Sequence, residues 1–169
     1  TIIPHNSSYD YIDGSFRPST EKVLQLLGSS ELYLVPIASV RELLQNAFDA
    51  VRERIAYQRL DSRSRDIDVL TLAKQHSVTL SFIAEEDGYR LVCTDTGAGV
   101  NKEIIKEYLL VAGLSRRRDI VHLAKECEGN GFSLERTGQF GVGVLSYFLL
   151  ADEVELQTRR IPKARGEEH

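Results

Sequence analysis

The chain has 169 residues, 42% hydrophobic and 27% charged, with 25 acidic against 21 basic side chains and a formal net charge of −4. A chain of this length can bury about two-thirds of its extended surface in one core, so neither disulfides nor metals are required to hold it, and its acidic balance argues against a nucleic-acid-binding surface. Cys93 and Cys127 have neither the paired spacing of a zinc site nor the density of a secreted disulfide scaffold, the apolar runs are too short to span a bilayer, and the first residues do not resemble a signal sequence; a cytoplasmic setting away from membranes is expected.

Residues 1–17 are rich in Ser, Asp, Tyr and Gly without a period and read as an arm. Ser19 or Thr20 can cap a short helix through Leu27, closed by Gly28. Pro36 then opens the most informative stretch, PIASVRELLQNAFDAVRERIAYQR, a predicted helix over 36–59. At 100° per residue, Leu43, Leu44, Ala47, Phe48, Ala50, Val51 and Ile55 share one broad arc, while Glu42, Asn46 and Asp49 form a narrow stripe opposite. Periodicity makes the first a core face; the second is either a solvated face or a place to hold an ion. A charged break, DSRSRD, leads to a weakly helical stretch at 69–75. SVTLSFIA (77–84) and YRLVCT (89–94) then alternate with period two around a turn at 85–88, which predicts a hairpin.

The second strand runs into DTGAGV (95–100), with a predicted helix over 102–110 after it. Asp95 followed by Gly97 and Gly99 sets a hydrogen-bond acceptor beside backbone that a flat ligand can approach. The same residues also suit an Asp-capped turn whose glycines supply positive φ. Periodicity collapses over 112–137 apart from a helical piece at 120–125, the pattern of a lid. Its run Arg116, Arg117 and Arg118 is either solvated or within reach of a phosphate. GQFGVGVLS (138–146) places three glycines ahead of an apolar run at 147–151; glycines opening a buried helix leave free amides suited to phosphate. The spacing matches neither the dinucleotide fingerprint nor the P-loop. VELQTRR (154–160) reads as a further strand, and 161–169 as a polar tail.

The order of these pieces, E-x-x-x-N on a helix, D-x-G-x-G after a strand, a lid, then G-x-x-G-x-G, resembles the GHKL ATPase superfamily. Within it, RELLQNAFDAVRER, DTGAGVNKE and GQFGVGVLSYFLLADEVELQTR are similar to the heat shock protein 90 chaperones, whose last block is a close variant of GQFGVGFYSAYLVADKV. The match covers 40–160. It implies an α/β two-layer sandwich of the Bergerat type, a mixed β-sheet with helices on one face. The implied organisation is an arm at 1–35, an ATP-binding domain at 36–160 with a mobile ATP lid at 112–137, and a tail at 161–169 leading to further domains.

The resemblance implies an ATPase: magnesium-dependent binding and hydrolysis of ATP, with ADP as product, drives the conformational cycle of a chaperone-like protein. The other reading it leaves is an ATP-gated switch or clamp acting on other proteins or nucleic acid. Implied partners are adenine nucleotide, client proteins and a second copy joined through C-terminal regions. Glu42 matches the family's general base, Asn46 the magnesium ligand, and Asp49 a contact to the nucleotide or its water. Asp95 matches the acceptor of the adenine amino group, with Gly97 beside the base, Gly99 in the same loop, and Thr158 supporting adenine through water. Gly138, Gln139, Phe140, Gly141, Val142 and Gly143 match the turn around the phosphates. Tyr108, Leu110 and Leu114 replace the family's Asn, Gly and Lys near the lid's first hinge, so no contact is carried over to that corner. Slow turnover is expected of the domain alone, because the family's middle domain supplies a catalytic basic residue.

Overall fold

The computed structural model describes residues 17–18, 36–61, 67–109, 111–112, 117–137 and 146–161. Its axis is α1, Pro36–Leu60, twenty-five residues without an internal glycine or proline. Proline is tolerated at the first helical position because its missing amide would have no partner there. A short α2, Val69–Ala73, follows; Asp68 caps it by accepting from the amides of Leu70 and Thr71.

The alternating stretches form the expected hairpin, β2 (Val78–Glu85) antiparallel to β3 (Gly88–Asp95), in register from Val78 opposite Asp95 to Glu85 opposite Gly88. Near the turn, the rings of Phe82 and Tyr89 stack at 4.8 Å between centroids. Asn101 caps α3, Lys102–Ile104, which widens at once into a π-helical turn over Ile105–Leu109. Strand β4, Val111–Ala112, pairs in parallel with β1, Arg17–Pro18. Helix α4, Arg117–Gly129, is longer than the predicted piece at 120–125.

The core that places these parts lies on the C-terminal half of α1. Ala56 meets Leu123 and Cys127 of α4, and Tyr57, Leu60, Phe132 and Leu134 pack around them. The Arg59 guanidinium lies 3.9 Å over the Phe132 ring. Burial, then the charge of Glu126, pushes the Cys127 thiol up to about 11, so it stays protonated and inert. The segment read as a lid therefore has apolar anchors on α1 along 123–134.

The fold class is α/β as expected, with four corrections. Among the described residues the strands make two separate two-stranded sheets rather than one mixed sheet. Residues 154–160 form no strand: Val154 and Leu156 are exposed, and the segment bonds to the 95–100 loop instead, where Val100 N–H donates to Thr158 Oγ1 and Ile161 N–H to the Ala98 carbonyl. After the glycine-rich box, the described chain makes only a 3₁₀ turn, Tyr147–Leu149, with Phe148 and Leu149 about half exposed. The faces of α1 are the fourth. Phe48, assigned to the core arc, is 48% exposed, whereas Asp49 and Glu53 are buried beside Ala38, Ser39 and Ala56. Asp49 and Glu53 are turned inward because Arg52, Arg136, Thr137 and Arg160 compensate them, while Asn46 on the same row stays exposed. The arm, the short helix at 19–27, the box at 138–145 and the tail lie outside the described residues.

One contact beneath the site gives a pH dependence. His76 bridges Gln58 Oε1 at 2.9 Å through Nε2 and Thr96 Oγ1 at 3.2 Å through Nδ1. Burial first, then the Arg54 charge, lowers its pKa below the ordinary value. The unfolded chain thus binds the proton more readily than the folded one. Stability contributed by the neutral ring is present above the unfolded pKa and falls as pH drops through the unfolded value toward the folded one. Chemical unfolding at pH 7.5 and 5.5 should show lower stability at the acidic value, and His76→Asn should reduce that difference; an equal loss in the variant assigns it elsewhere.

Candidate functional site

Four distant segments meet α1 between Asn46 and Glu53. At Asn46, Nδ2 donates to the Tyr147 hydroxyl at 2.7 Å. At Asp49, whose side chain is 1% exposed, Oδ1 accepts from the Thr137 amide at 3.0 Å, the Thr137 hydroxyl at 3.1 Å and Arg52 Nη1 at 2.9 Å, with Arg136 Nε 3.5 Å from Oδ2. At Ala50, the helix carbonyl accepts from the Ala98 amide at 2.9 Å. At Glu53, Arg160 Nη1 approaches Oε1 at 2.8 Å. One helix thus fixes the loop after β3, the end of the 117–137 segment, the turn after the glycine-rich box and the exit segment.

The loop after β3 is seated tightly. A Cβ on Gly97 would lie 2.5 Å from the carbonyl carbon and Cβ of Ala50, so only glycine lets this backbone touch the helix. Gly99 has φ +64°, and a Cβ there would meet the Arg159 carbonyl oxygen at 2.1 Å. Arg54 Nη1 donates to the Thr96 carbonyl at 3.0 Å, and Arg160 Nη1 to the Gly99 carbonyl at 2.9 Å. Asp95 is exposed and its Oδ1 accepts from the Gly97 amide at 2.8 Å. The Asp-capped turn is therefore formed, with positive φ at Gly99, and the Asp95 side chain is exposed.

Glu42 lies one helical turn before Asn46, its side chain 16% exposed and Arg41 Nη2 3.8 Å away. Burial, together with the nearby Cys93 and Glu42, pushes the Tyr147 phenol up to about 12 against the opposing hydrogen bond from Asn46. The hydroxyl therefore stays protonated at ordinary pH. The Cys93 thiol is raised as well, by burial and then by Asp95. Thr158 Oγ1 is engaged by the Val100 amide at 3.1 Å, closing the loop onto the exit segment. Gly138, Gln139, Phe140, Gly141, Val142 and Gly143 lie outside the described residues.

The donor set suits a cation only alongside an anionic ligand. Among the described residues no three His, Cys, Asp or Glu side chains converge. Asn46 offers one neutral oxygen, Glu42 a carboxylate one turn away, and Asp49 is taken up by Arg52, Arg136 and Thr137. Magnesium usually takes few protein oxygens and completes its shell with phosphate and water, so these residues fit it in that role.

No protein-family model matches the chain. Its similarity to individual proteins is broad. It is 31% identical over 154 residues to "Chaperone protein HtpG" of Polaromonas naphthalenivorans, covering 90% of this chain and 23% of that protein. It is 29% identical over 152 residues to the HtpG of Salinispora arenicola, covering 89% and 22%. It is 28% identical over 153 residues to "TNF receptor-associated protein 1 homolog, mitochondrial" of Dictyostelium discoideum, covering 90% and 20%. This is a domain of the heat shock protein 90 type. It spans about a fifth to a quarter of the length of these relatives. No helix among its described residues is long and apolar enough to cross a membrane.

Against the heat shock protein 90 pattern, three contributors were not anticipated. Glu53 continues the row of Glu42, Asn46 and Asp49 at helical spacing, and that spacing was the available signal. Arg160 ends a stretch that alternated like a strand. Tyr147 stands where the quoted chaperone block has alanine, a departure that marks the position without telling what the ring touches.

Proposed function

We propose that this domain binds ATP with magnesium and hydrolyses it as part of the conformational cycle of a chaperone. The observation that carries the reading is the convergence on α1: the loop bearing Asp95 is locked at Ala50, one turn beyond Asn46 and two beyond Glu42, within a chain similar to heat shock protein 90 chaperones over nine-tenths of its length. Base, ion and water would lie in order along one helix. Asp95 reads the adenine amino group, Gly97 and Gly99 keep the backbone low beside the base, and Thr158 supports it through water. Asn46 presents its amide oxygen to magnesium, which when bound neutralises phosphate charge. Glu42 orients and deprotonates the attacking water. Gly138, Gln139, Phe140, Gly141, Val142 and Gly143 supply amides to the phosphates, and residues 112–137 act as the lid. Asp49 holds Arg136 and Thr137 where the chain enters that box, so its part in nucleotide binding is indirect. Client proteins and a second copy of the full protein are the partners this reading carries.

Asp95→Asn tests the base contact. The asparagine oxygen can still accept from the Gly97 amide, which leaves its NH₂ facing the adenine amino group, donor against donor. Loss of this charge-assisted bond should lower ADP affinity roughly tenfold or more. Calorimetry on parent and variant, with circular dichroism as the check of fold, decides it; unchanged affinity removes Asp95 from the base site.

A further inference from the structure

We propose that Tyr147 is a positioning residue for Asn46: its hydroxyl holds the nitrogen end of the Asn46 amide at 2.7 Å and so turns the oxygen end toward the nucleotide-bound cation. This rests on the proposed assignment of Asn46 as the magnesium ligand.

A carboxamide has one donor end and one acceptor end of nearly equal size, and only the oxygen can ligate a cation. Asn46 is exposed, so packing does not choose between its two orientations. In one, the oxygen is offered; in the other, the NH₂ faces the positive charge and binding must first turn the amide over. Tyr147 supplies the choice. It comes from a segment 101 residues away, and its hydroxyl meets Asn46 on α1.

A hydroxyl can donate as well as accept, so a second charge must decide its direction. Glu42, one turn from Asn46 on the same row, lies near enough for its charge to act on the phenol. Its negative field favours an O–H directed toward the carboxylate, which presents the phenol lone pairs to Asn46 Nδ2. In the observed arrangement Asn46 Nδ2 donates to the phenol oxygen, which leaves the Asn46 oxygen end unengaged by Tyr147. Among the described residues, the Cys93 thiol also acts on the phenol.

The test separates this arrangement from packing. Tyr147→Phe keeps the ring and removes the hydroxyl. ADP affinity is measured by calorimetry with magnesium and with EDTA, for the parent, Tyr147→Phe, Asn46→Ala and the double variant. Tyr147→Phe should leave affinity in EDTA unchanged and reduce the magnesium-dependent gain about threefold to tenfold, the range for one net hydrogen bond. Asn46→Ala should abolish that gain, and the double variant should match Asn46→Ala. An undiminished gain in Tyr147→Phe, or a further loss in the double variant beyond Asn46→Ala, overturns the proposal. A ligand-free readout stands apart from the nucleotide reading: the side-chain amide resonances of Asn46, assigned through Asn46→Ala, should shift and exchange faster with solvent in Tyr147→Phe. Unchanged resonances overturn the positioning role even if nucleotide binds as proposed. A parent with no magnesium-dependent gain, but with shifted resonances in the variant, leaves the hydrogen bond standing and removes the cation from Asn46, which overturns the proposal by failure of the reading beneath it.

Discussion

Replacing Arg160 with methionine should destabilise the domain by about 3–5 kcal/mol, the range for breaking a buried ion pair from one side. The guanidinium is 9% exposed and the Glu53 side chain 4%, with 2.8 Å between them. Arg160 also donates to the Gly99 carbonyl at 2.9 Å and to the Tyr57 hydroxyl at 3.2 Å, and lies 5.4 Å from the Tyr57 ring centroid. Methionine fills much of the volume but returns no charge, so the Glu53 carboxylate stays in a site built around its counterion. It also removes the bond from Arg160 to the Gly99 carbonyl, one of the ties between the exit segment and the loop. Urea unfolding of parent and Arg160→Met gives the difference. Adding Glu53→Gln should recover part of the loss, since the stranded charge is then gone. A loss below about 1 kcal/mol would put the pair among solvent-screened surface bridges and overturn the account of a buried tie.

The same pair shows where the sequence stopped being readable. Local signals transferred well: period-two alternation placed the hairpin to within a residue or so at each end, and Pro36 marked the start of α1 because proline fits the first turn of a helix. What failed was the assignment of faces. A helical plot weighs each residue by its own hydropathy, so Glu42, Asn46 and Asp49 read as an outer stripe and Phe48 as core. In the folded chain Asp49 is buried because Arg52, Arg136 and Thr137 reach it, and Glu53 because Arg160 does. Arg52 is a local partner one turn along the helix, but Arg136, Thr137 and Arg160 come from far along the chain and leave no local trace. The alternation of 154–160 misled for the complementary reason: a strand needs a neighbour, and this segment found a loop. At Gly97 and Gly99 the backbone comes close to other parts of the chain, where the sequence reading has a flat ligand approaching. The partners that come close are Ala50 and Arg159.

Glu42→Gln should reduce the rate of ATP hydrolysis about a hundredfold to ten-thousandfold, the span covered by general acid–base catalysis, while leaving ATP binding nearly intact. Glutamine keeps the shape of the side chain and removes its basicity. Residues four apart on a helix stand roughly 5–6 Å apart at Cβ, so Glu42 can reach a water beside phosphates whose cation is held at Asn46 without itself being drawn in as a ligand. Its partial burial, at 16% exposure, keeps bulk water from screening it, and Arg41 approaches only to 3.8 Å, leaving the carboxylate available to a water. Slow steady-state turnover of the isolated domain would hide the effect, so the measurement is single-turnover hydrolysis with protein in excess over labelled ATP and magnesium, repeated in the full-length protein. Binding of a non-hydrolysable ATP analogue is followed in parallel. Parent-like hydrolysis by Glu42→Gln would remove the general-base role. Loss of analogue binding in step with loss of rate would instead make Glu42 part of the binding surface, because a base that acts on the attacking water contributes mainly in the transition state and little to the ground-state complex.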